Sequence, residues 1–66
     1  MTPADERRLQ RYDAFVRGVR EDLAKVEQQM KGLREANRGS GATYRQLLSN
    51  RMLLQEILDR LERAGL

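Results

Sequence analysis

From Leu9 to Leu33 the apolar residues fall at Leu9, Tyr12, Val16, Val19, Leu23, Val26, Met30 and Leu33. The spacings alternate between three and four without a break. That is the seam of a heptad helix, with Leu9, Val16, Leu23 and Met30 at one core position and Tyr12, Val19, Val26 and Leu33 at the other. No two-residue alternation competes with it, so a strand is excluded over this stretch. Asp13 with Arg17, Glu21 with Lys25, and Glu27 with Lys31 add acid-before-base pairs four apart on the polar side, each worth roughly 0.2–0.5 kcal/mol. Gly18 and Gly32 are discordant, since each costs up to about 1 kcal/mol relative to Ala inside a helix. They are read as tolerated surface glycines, with a second line of close helix approach as the other reading.

The ends of this helix are marked as clearly as its middle. Thr2 suits an N-cap, Pro3 the first helical position, and Asp5 and Glu6 the positive end of the helix dipole. Asn37-Arg38-Gly39 provides residues that accept the left-handed conformation at a helix end, and Gly39-Ser40-Gly41 is a breaker. Thr43-Tyr44-Arg45-Gln46 fits a capping box, with Thr43 as cap and Gln46 reaching back. Arg60, Arg63 and Gly65 suit the end of a second helix. The sequence therefore predicts an all-α chain: helix 3–37, loop 38–42, helix 43–64, one domain over 1–66. The short loop makes the two helices an antiparallel, coiled-coil-like hairpin.

Two mismatches bear on association. Aligned from the loop, Tyr44 falls near Asn37, Arg51 near Met30, Leu58 near Leu23 and Gly65 near Val16. The first helix then overhangs the second by roughly 20 Å at about 1.5 Å per residue. Leu9, Tyr12, Phe15 and Val16 lie on or at the edge of that overhang. On the second helix Leu47, Leu54 and Leu61 form a centre line flanked by Tyr44, Ile57 and Leu58, whereas Leu48, Met52 and Leu53 fall outside it. One neighbour cannot bury so wide an arc. Leu9, Tyr12, Phe15, Val16, Leu48, Met52 and Leu53 are thus the candidate interface. The expected assembly is a homodimeric helical bundle, with the overhang alternatively meeting another protein. Asn50 and Arg51 are polar at or near the seam, and Arg51 is expected to pair with Glu27.

Composition limits the chemistry. The 66 residues contain no cysteine and no histidine, which removes disulfides, the common zinc ligands and the commonest general base. Small domains usually need a staple, and oligomerisation is the one left. Ser40 has no activating base that the sequence identifies, so no catalytic, cofactor or metal residues are assigned and an enzyme is not expected. The Gly39-Ser40-Gly41 turn lacks the lysine and spacing of a phosphate loop.

Thirteen Lys and Arg against ten Asp and Glu leave a net charge of +3. Arg dominates Lys, a bias that a GC-rich genome also produces. Arg7, Arg8, Arg11 and Arg17 cluster early in the first helix beside Tyr12, the footprint of nucleic-acid binding. They spread around the helix and alternate with acids, which weakens that footprint. No run is apolar enough to span a bilayer and the opening residues do not resemble a signal peptide. A complete, cytoplasmic protein without a membrane partner is expected. The predicted function is a non-enzymatic protein–protein interaction module, an adaptor or regulator. The alternative is a Rop-like nucleic-acid-binding regulator, a parallel of architecture with no residue motif matched.

Overall fold

The structure is a computed structural model that describes residues 2–65. It contains two helices, α1 (Pro3–Glu35) and α2 (Ala42–Arg63), and no strand among the described residues. They pack against each other in a hairpin-like rod of 53 × 18 × 14 Å.

α1 begins as its sequence dictates. Thr2 holds an extended N-cap conformation with Pro3 as the first helical residue. The Asp5 backbone N–H donates to Thr2 Oγ1 at 3.2 Å, while the Thr2 hydroxyl donates to Asp5 Oδ2 at 2.9 Å. The Thr2 backbone N–H reaches the same carboxylate at 3.4 Å, completing a capping box. At the other end Asn37 takes φ 60°, the left-handed conformation. Its N–H donates to the Arg34 carbonyl at 3.1 Å, and the Arg38 N–H donates to the Leu33 carbonyl at 2.7 Å. These two bonds are a Schellman ending, so the last helical residue is Glu35 rather than residue 37.

The start of α2 differs from the expected one. Its N-cap is Gly41, at φ −77° and ψ 166°, with no side-chain cap bond. The Gly41 carbonyl accepts the first helical bond from the Arg45 N–H at 3.1 Å. Thr43 therefore lies inside the first turn, and Gln46 donates to Asn50 Oδ1 at 3.2 Å instead of reaching back. The glycine adopts the cap conformation without steric cost and starts the helix before Thr43 can cap it. At its end α2 closes on Ala64, and Gly65 takes φ 74° with its N–H on the Glu62 carbonyl at 3.0 Å.

Val19, Val26, Met30 and Leu58 are the buried core. The remaining seam residues Leu23, Leu33, Leu47, Leu54 and Leu61 are half-buried. Two packed helices enclose only a line, so side chains beside that line keep one edge in solvent. Near the loop, the Arg34 guanidinium donates to the Tyr44 hydroxyl at 3.1 Å and ties the two helices together.

Candidate association surface

Every described residue from Thr2 to Arg11 is exposed. Burial begins at Tyr12 and Val16, both half-buried, and is complete first at Val19. Thirty-three residues in α1 against 22 in α2 correspond to about 50 and about 33 Å of helix. The opening turns of α1 therefore stand clear of the packed part. Leu9 is 48% exposed and Phe15 54%. Met52 and Leu53 on α2 are 65% and 60% exposed, and Leu48 is half-buried.

The Tyr12 hydroxyl is buried and has no hydrogen-bond partner among the described residues. The ring carries apolar area, but a closed-in hydroxyl without a partner costs about 1–3 kcal/mol.

The two flanks of the rod differ in chemistry. On α1 one flank carries Asp13, Arg20, Glu27 and Arg34, each seven residues apart. Glu27 there shares a groove with Arg51, Met52, Gln55, Glu56 and Asp59 of α2, and a second groove with Lys31, Arg34 and Arg51. The opposite flank carries Phe15, Asp22 and Gln29, with Gly18, Lys25 and Gly32 behind them. There Asp22, Lys25 and Gln29 share a groove with Asn50, Leu53 and Leu54. Farther along, Gly32 and Leu33 share one with Thr43 and Leu47. The first flank is the richer in charge; the grooves of the second carry two charged residues, Asp22 and Lys25. A Cβ added at Gly18 or at Gly32 meets nothing within 4 Å, so the chain does not itself use either glycine for a close approach.

Glu27 and Arg51 border the same grooves, but they form no ion pair among the described residues. Nor do the acid-before-base pairs of α1. The ion pair present is Arg60–Glu56 on α2, at 3.2 Å. On solvated flanks the entropy of holding two long side chains offsets most of the attraction. Arg7, Arg8, Arg11 and Arg17 are all exposed, and the Arg7 Nε–H donates to the Pro3 carbonyl at 3.4 Å.

No group of His, Cys, Asp or Glu suited to hold a metal ion occurs among the described residues. No helix there is long and apolar enough to cross a membrane. The Arg34–Tyr44 tie and the Thr2–Asp5 box are absent from the residue-level expectations. The box had a signal, Thr-x-x-Asp before an amphipathic run. The tie had none, because it depends on how the two helices meet. No protein-family model, curated protein or solved structure matches the chain.

Proposed function

We propose that this chain is a cytoplasmic, non-enzymatic interaction module, an antiparallel helical hairpin that self-associates and acts by helix-on-helix docking. The observation that carries the reading is the exposure of Leu9, Phe15 and Leu53 on a chain whose buried core is four residues. The antiparallel arrangement is supported by the grooves, which set Leu33 beside Leu47 and Val26 beside Leu54. Later residues of α1 thus meet earlier residues of α2.

The surface area agrees with association. The chain exposes 5456 Å², whereas a compact monomer of this mass exposes roughly 4,300 Å². The excess is roughly 1,100 Å², and a stable standard-size interface takes about 800 Å² from each partner. Aromatic and large aliphatic anchors such as Phe15 and Leu53 supply most of the binding energy in such docking.

The test is Phe15→Glu, followed by sedimentation equilibrium. Phe15 is more than half exposed in the single chain, so the variant keeps its helicity and loses its assembly. An assembly undisturbed by the charge removes the overhang from the interface.

A further inference from the structure

We infer that a second copy of this chain lies along one particular flank of the rod, the one carrying Phe15, Gly18, Gly32, Leu53 and Ile57, and not along the flank of Glu27, Arg51 and Met52. This rests on the self-association proposed above and names the face on which it occurs.

Three observations select the face. The first is charge. Asp13, Arg20, Glu27 and Arg34 recur along one flank of α1, and its grooves with α2 add Arg51, Glu56 and Asp59. Covering that flank would strip water from many charges, most of them without an ion-pair partner in the chain. On the other flank the grooves combine exposed Leu53 and the half-buried Leu33, Leu47 and Leu54 with two charged residues, Asp22 and Lys25, and exposed Phe15 lies farther along.

The second is shape. Gly18 and Gly32 lie on the apolar flank, seven residues either side of Lys25, and a Cβ at each would stand in open space. Two glycines in an otherwise well-formed helix cost stability without any return inside the chain. They leave room for another backbone or a large side chain to approach, and Phe15 and Leu53 are projecting side chains of the required size.

The third is self-complementarity. A second copy related by a two-fold axis places the same patch against itself. An axis passing between Asp22 and Lys25, of opposite sign and one helical turn apart on this flank, sets each against the other in the second copy. The roughly 1,100 Å² of excess surface is sufficient for one such contact.

The experiment measures the association constant of the intact chain and three variants by sedimentation equilibrium, with circular dichroism on each. Leu53→Glu places a charge on the apolar flank. Gly32→Leu adds bulk at a position where a Cβ meets nothing within 4 Å in the single chain. Met52→Glu places the same charge on the opposite flank at a residue of similar exposure. The first two are expected to raise the dissociation constant at least about tenfold, and Met52→Glu to change it less than about threefold. An assembly weakened as much by Met52→Glu, or unchanged by Leu53→Glu and Gly32→Leu, overturns the choice of face and leaves self-association standing. A wild-type chain that is monomeric throughout overturns both. Unchanged helicity in all three variants separates these outcomes from misfolding.

Discussion

Asn37 shows what one residue decides here. Its φ of 60° turns the chain out of α1 and lets the Arg38 and Asn37 N–H groups reach back to the helix carbonyls. Asn tolerates this conformation better than most side chains, and glycine tolerates it best. Asn37→Gly is expected to raise the melting temperature, and Asn37→Val to lower stability by about 1 kcal/mol or more. Equal stability of the two variants would mean that the turn does not need the left-handed residue. Tyr12 makes the opposite point. Its hydroxyl is enclosed without a partner among the described residues, so Tyr12→Phe should be neutral or stabilising in thermal unfolding. A loss of more than about 1 kcal/mol would show that the hydroxyl is hydrogen-bonded after all.

At the scale of elements, the two helices begin by different means. α1 relies on the Thr2–Asp5 box, and Thr2→Ala is expected to cost about 1 kcal/mol and fray the first turn. α2 starts on a bare glycine with extended geometry that serine also adopts. Gly41→Ser should therefore gain a few tenths of a kcal/mol, visible as a small rise in melting temperature, whereas a fall would place the cap elsewhere. These starts also show what the sequence made legible. The unbroken three-four spacing from Leu9 to Leu33 and the Asn37 stop foretold α1 to within two residues, because periodicity and left-handed preference are local properties. Thr43-x-x-Gln46 fits a capping box by itself, but Gly41 ahead of it takes the cap position first. The Glu27–Arg51 pair was foretold by proximity. Proximity does not fix the rotamers of two solvated side chains, and no pair forms. Which flank a second chain would occupy is not legible in the sequence at all. It depends on the joint surface of both helices, where Leu53 and Gly32 come to share a face.

The whole molecule is a thin rod. Its radius of gyration is 15.7 Å, against about 11 Å for a compact chain of this length. A rod of two helices cannot enclose a broad core, and the surface left over sets what the molecule can do. If helix-on-helix docking is that role, the exposed Arg8, Arg11 and Arg17 act as solvated charges, and the protein should not be retained on mixed RNA and DNA at low salt. Retention that falls steeply as salt rises would instead assign the function to those arginines. The most direct test of the central claim is molar mass in solution over a concentration series, by sedimentation equilibrium. The account predicts a mass converging on twice the chain mass of 7.7 kDa, and a mass that stays at a single chain at every concentration would contradict it.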